Sequence, residues 1–272
     1  MADGESNEPR PFVAIALIVL ATQAPYLFFT PGKHDPEIWP FYGLVAGLLA
    51  FVLDRPARLA DAGITSRGLL RGAPWLLLAL AAWASGLALG YALGWVELSE
   101  GVSRSGADLL RPFLARLALI AAVAILGDEL AWRGVLLGDA SARFGRWRGL
   151  ALIAVLSALY RLPLLVRMGL VDDLPIGLEA FARELLRGLA LGLLFERTRN
   201  LWLTGLYAFA VWGGPMLLIG NAEDPFEPLF FYGGAGARFV ALTWLGEVLP
   251  VVLLGASAAR APLTVSARST GP

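Results

Sequence analysis

The sequence predicts an all-α fold, a polytopic transmembrane bundle of about eight spans. Two observations carry this. Of the 272 residues, 57% are hydrophobic and only 16% charged, with a mean hydropathy of +0.66. Soluble domains are typically about 45–50% apolar and about 25% charged. A soluble fold of this size could not hide so much apolar surface, so lipid is the expected solvent for its exterior. The apolar residues also fall into separate runs, most of them near the length of a membrane crossing, with Arg-, Gly- and Pro-rich connections between them.

The first run is about Pro11–Thr30, after a polar tail over residues 1–10 that lacks the basic start and small-residue cleavage site of a secretory signal. The second, about Ile38–Leu53, stops at Asp54-Arg55-Pro56. The third is about Ala73–Leu93, rich in Leu, Ala and Gly. The fourth, about Leu110–Leu126, runs straight into Gly127-Asp128-Glu129. The fifth is about Gly149–Val166, with an interruption expected at Pro163. The sixth is about Phe181–Phe195, the seventh about Leu201–Ile219 and the eighth about Phe239–Ala258. Residues 11–260 form a single membrane domain on this reading, and the polar tail over 261–272 is expected to be disordered.

Gly86 with Gly90, and Gly188 with Gly192, repeat at the four-residue spacing that lets helix backbones approach. Trp39, Trp95, Trp147 and Trp202 fall near span ends, where indole rings favour the interface. With the N-terminus inside, most loop arginines, among them Arg55, Arg67, Arg71, Arg146, Arg197 and Arg199, also lie inside. The expected location is therefore a cell (inner) membrane with both termini cytoplasmic.

Composition excludes several chemistries. The net charge is zero, which argues against a nucleic-acid partner. There is no cysteine, hence no disulfide, thiolate metal site or cysteine nucleophile. His34 is the only histidine and Lys33 the only lysine. No cofactor or metal is expected.

A charge at membrane depth costs at least about 2.5–3.5 kcal/mol, so each one needs a reason. Asp128-Glu129-Leu130-Ala131-Trp132-Arg133-Gly134 is the densest cluster. Glu129 and Arg133 are i,i+4 and share a face, while Asp128 points about 100° away. One carboxylate could act as a general base while Arg133 holds the other, or the cluster could be a helix end with solvated charges. Glu184 and Arg187, at i,i+3, read as a self-neutralising pair. Glu247 stands alone in the eighth span, to be accommodated by protonation or by a cation such as Arg116 across the bundle.

These residues carry a resemblance. The Asp128–Gly134 segment resembles the Glu-Glu-x-x-x-Arg-Gly motif of the CPBP intramembrane proteases, the CAAX-protease and bacteriocin-processing (Abi) family. Ser157-Ala158-Leu159-Tyr160-Arg161-Leu162-Pro163 is similar to its second motif, where a histidine commonly precedes Leu-Pro. Gly188 to Thr198 resembles its Gly-x-x-x-Gly helix leading to Glu-Arg-Thr, and Asn200-Leu201-Trp202 the Ser-Leu-Trp opening of the last motif helix. The likeness covers about residues 110–216.

The resemblance implies an eight-span fold. It also implies a water activated by the first glutamate and a second-motif histidine, with a fourth-motif histidine and asparagine completing the site. This chain departs from that pattern at most positions. Asp128 stands for the first glutamate, Arg161 for one histidine, Ala208 for the other, and Trp212 for the asparagine. Glu129 and Arg133 match. Arginine neither accepts a proton nor ligates a metal, alanine offers no polar group, and tryptophan fills space.

The implied protein is a CAAX-endopeptidase-like membrane protein without the usual catalytic histidines, a non-catalytic binding or regulatory homologue. The alternative is an active peptidase with a rewired Asp128/Glu129/Arg161 site, Arg161 stabilising the oxyanion. A transporter is a third reading, which no internal repeat supports. The expected partners are membrane lipid and a membrane-embedded or prenylated peptide.

Overall fold

The computed structural model describes residues 12–25, 39–54, 59–98, 125–167, 174–208, 219–220, 230–232 and 236–260. The chain is all-α. The helices are α1 (Phe12–Ala21), α2 (Trp39–Asp54), α3 (Leu69–Ala92), a π-helix over Ile125–Leu136, α4 (Leu137–Phe144), α5 (Arg146–Arg167), α6 (Leu174–Thr198), α7 (Leu201–Ala208) and α8 (Gly236–Arg260). A three-stranded sheet of β1 (Val96–Leu98), β2 (Ile219–Gly220) and β3 (Phe230–Tyr232) has the order β1-β3-β2. It joins the chain leaving α3 to the chain entering α8 through an antiparallel register of Val96 opposite Tyr232.

Among the described residues, two helices are long and apolar enough to cross a membrane, Leu69–Ala92 and Arg146–Val166. Phe12–Ala21, Phe41–Asp54 and Val248–Ala259 are apolar but shorter. The sixth expected run lies inside α6, which has the length but also carries Glu179, Arg183, Glu184 and Arg187. Most of the fourth run lies outside the described residues. Pro163 does not interrupt α5, which continues to Arg167. Packing against neighbouring helices makes up for the backbone bond a proline removes.

The core is built on small residues at the crossings. A Cβ on Gly188 would lie 2.8 Å from the Ala154 Cα, and one on Gly192 would lie 2.7 Å from Leu150 Cδ2. The Gly188/Gly192 pair therefore sets how closely α6 meets α5, as its spacing predicts. Gly188→Leu should lower the unfolding free energy by about 1–3 kcal/mol, since backbone and Ser157 cannot move aside. Denaturation of the purified variant in detergent checks this. Trp132, Tyr160, Leu150, Leu191 and Leu194 fill the remaining space, with Trp132 and Tyr160 edge to face at 5.5 Å.

The turn between α6 and α7 is fixed by Asn200, which is fully buried. Its Oδ1 accepts the Leu203 N–H at 2.8 Å, the bond of a helix N-cap. Its Nδ2 donates to the carbonyls of Thr65 and Arg67 at 2.5 and 2.9 Å. Asparagine is among the preferred helix-capping residues, which accounts for its place here. Asn200→Leu should cost about 2–4 kcal/mol, because the cap is lost and two carbonyls lose their donor. A lower midpoint of thermal unfolding is the expected readout.

Candidate functional site: a buried layer of paired charges

The first motif does not sit on an α-helix. Ile125–Leu136 is π-helical, a rare wide-turn form that is frequent at functional sites. Glu129 and Arg133 remain on one face and pair at 3.3 Å. Asp128 projects toward α5 and meets Arg161 there, Nη2 to Oδ2 at 3.0 Å. Each of the two adjacent carboxylates thus has its own guanidinium.

Arg161 has a second partner. Its Nε lies 3.4 Å from Glu184 Oε2 on α6. Glu184 in turn pairs with Arg187 at 2.5 Å. Arg133 reaches the same helix by donating from Nη2 to the Gly188 carbonyl at 3.5 Å. The result is one layer: Asp128, Arg161, Glu184 and Arg187 in a chain, with Glu129 and Arg133 beside it. All six are between 1% and 7% exposed. Three carboxylates face three guanidiniums, so the layer is neutral as a whole.

Sequence reasoning found all six as charges needing an explanation and assigned Glu184 to Arg187 alone. It missed Glu184 as the second partner of Arg161. The available signal was Arg161 itself, a permanent cation in an apolar helix with no acid three or four residues away.

Two glycines close the layer from above. A Cβ on Gly43 of α2 would collide with Asp128 Oδ1, and one on Gly127 would collide with the Gly43 and Leu44 backbone. The π-helix and α2 therefore meet backbone to backbone, and α2 covers the Asp128 carboxylate. The motif glycine Gly134 has the same kind of reason: its Cβ would lie 2.8 Å from the Ala62 carbonyl. Behind Arg161, the Tyr160 hydroxyl lies against Thr22 and Gln23 at the end of α1.

Residues 110–213 match the family described as type II CAAX prenyl endopeptidase Rce1-like. That segment of the chain is similar to this family. It agrees with the resemblance read from the motifs, covers the π-helix and α4 to α7, and holds every residue of the charge layer. The family is membrane-embedded, in keeping with the apolar helices found here. No curated protein matches the chain.

Within the Rce1-like segment, Asp128, Glu129, Arg133 and Arg161 come together as described. Ala208 ends α7, half-buried against the hydrophobic core, and offers no polar group. Trp212, Arg116 and His34 lie outside the described residues, and so does the side chain of Glu247 on α8. The donor set does not fit a metal ion. Asp128 and Glu184 already share a guanidinium, Glu129 holds another, and a cation placed among them would face Arg133 and Arg161 directly.

Proposed function

We propose that this chain is a multi-pass membrane protein with the CAAX-endopeptidase-like scaffold and without its hydrolytic activity, serving as a binding or regulatory homologue. The observation that carries this is Arg161. It occupies the histidine position of the second motif and is held between Asp128 and Glu184, at 3.0 and 3.4 Å. A guanidinium there cannot take a proton from water, and it neutralises the Asp128 carboxylate through Oδ2. The layer of three acids and three arginines compensates itself, so it holds helices together instead of waiting for substrate. The ligand expected for such a scaffold is a membrane-embedded or prenylated peptide, with lipid around it. On this reading both termini face the cytoplasm and the chain crosses a cell membrane about eight times, as loop charge and the apolar runs support.

The second reading, a rewired peptidase, has one observation in its favour. Asp128 Oδ1 and Glu129 Oε2 are buried and accept no hydrogen bond among the described residues. Either oxygen could hold a water, with Arg161 as the oxyanion donor.

An assay on a farnesylated CAAX peptide with the full chain in liposomes separates the two. No cleavage above the protein-free rate is expected, and none after Arg161→His, because Ala208 still lacks the fourth-motif group. Cleavage that disappears in Asp128→Asn or Glu129→Gln would overturn the non-catalytic reading.

A further inference from the structure

α3 begins and α6 ends on two turns that are fastened together. Besides the Asn200 bonds to Thr65 and Arg67, the Leu201 N–H donates to the Gly63 carbonyl at 2.8 Å. Gly68 packs on the Thr198 carbonyl so closely that no Cβ would fit. This fastening places Arg67 and Arg71 beside Arg197 and Arg199, and all four are exposed.

Two of the four are braced. The Arg197 guanidinium lies 5.7 Å over the Trp75 ring and donates to Ser257 Oγ near the end of α8. That of Arg199 lies 5.9 Å over Phe195. Of the acids near them among the described residues, Glu196 is engaged by Arg146 at 2.8 Å and Asp61 is the other, so the arginines are in excess there. The same Arg146 ties in the turn between α4 and α5, where Phe144 and Trp147 are about half exposed. Leu70, 90% exposed, and Leu77 continue from the arginines along the outside of α3. On α3 itself, the Trp75 ring under Arg197 and the exposed Leu77 beyond it follow the arginines in the order of a phospholipid: headgroup, interface, acyl chain.

We propose that the double turn carrying Arg67, Arg71, Arg197 and Arg199 binds the headgroup phosphate of an anionic phospholipid, whose acyl chains lie along α3. Guanidinium pairs suit this ligand because each fork can take two phosphate oxygens. A soluble anion would use the arginines alone, whereas a phospholipid also contacts the apolar face of α3 that begins beside them. The proposal rests on the chain being membrane-spanning, and it adds the partner and its place.

The test uses the full chain in neutral detergent, with thermal unfolding followed as phosphatidylglycerol, phosphatidylcholine or inorganic phosphate is added. Phosphatidylglycerol is expected to raise the midpoint by about 5 °C, and the other two by about 1 °C at most. The R67Q/R71Q/R197Q/R199Q variant is expected to lose the difference. An equal response to both lipids, a response retained in the variant, or an equal response to inorganic phosphate would each overturn the proposal. If the variant does not fold, salt decides on the unmodified chain: the phosphatidylglycerol effect should vanish near 0.5 M salt, and persistence there counts against headgroup recognition. Failure of the membrane reading itself shows separately, as chain released from cell membranes by a carbonate wash.

Discussion

Replacing Arg161 by methionine should lower the unfolding free energy by about 3–5 kcal/mol. Methionine fills most of the same volume, so little of this comes from packing. The loss arises because Asp128 and Glu184 are left in a dry interior without the cation between them. Breaking one partner of a buried pair is costly in this way, whereas replacing a whole group by apolar residues can be neutral. Two companions make the test specific. Asp128→Asn with Arg161→Met should recover part of the loss, and adding Glu184→Gln should recover more. A double-mutant cycle in detergent reads the coupling directly. If Arg161→Met costs under about 1 kcal/mol, the layer is wetter and more adaptable than its burial indicates. The same result decides how an activity experiment is read, since lost cleavage in an Arg161 variant means something only if the variant is folded.

Gly127→Val should be almost as damaging, at about 3 kcal/mol. The new side chain would meet the backbone of Gly43 and Leu44, and backbone cannot rotate away as a side chain can. α2 would have to lift off the π-helix, and water would reach Asp128. Gly43→Ala should do the same more mildly, because its Cβ meets the Asp128 carboxylate, which has some freedom. Gly255→Ala on α8 is the control. Its Cβ would meet nothing within 4 Å, so stability should be unchanged or slightly raised. Equal effects at Gly127 and Gly255 would mean that the α2 crossing is not a tight contact.

Periodicity and composition made the helical class legible, because a run of apolar residues has to bury its backbone bonds whatever surrounds it. Gly188 and Gly192 were legible for a similar reason, since a small residue every fourth position has few other uses in an apolar helix. Glu129 with Arg133, and Glu184 with Arg187, were legible as local pairs. What sequence spacing could not supply was the long-range partner. Arg161 lies 33 positions from Asp128 in the chain, and only the packing of α5 against the π-helix brings them together. The π-helix itself was not legible. Its wider turn has no residue signature, and Ile125–Leu136 reads as the end of one helix and the start of another. Gly43 and Gly127 were not singled out either, because isolated glycines carry no spacing signal and their fit depends on which helix crosses above them. Pro163 misled in the opposite direction, since a rule drawn from water-exposed helices overstated its power to end one in a packed bundle.

The neutrality of the buried layer has a consequence for how such a chain can change over time. Each of its charges is tolerable only while the others are present, so the first substitution in any series is the expensive one. A lineage that exchanges Arg161 for histidine passes through an intermediate with Asp128 and Glu184 poorly compensated, whatever else changes around it. Selection on stability alone would remove that intermediate. The arrangement acts as a ratchet: interlocked charges keep the scaffold in its present form, with no selection on activity needed to hold it there.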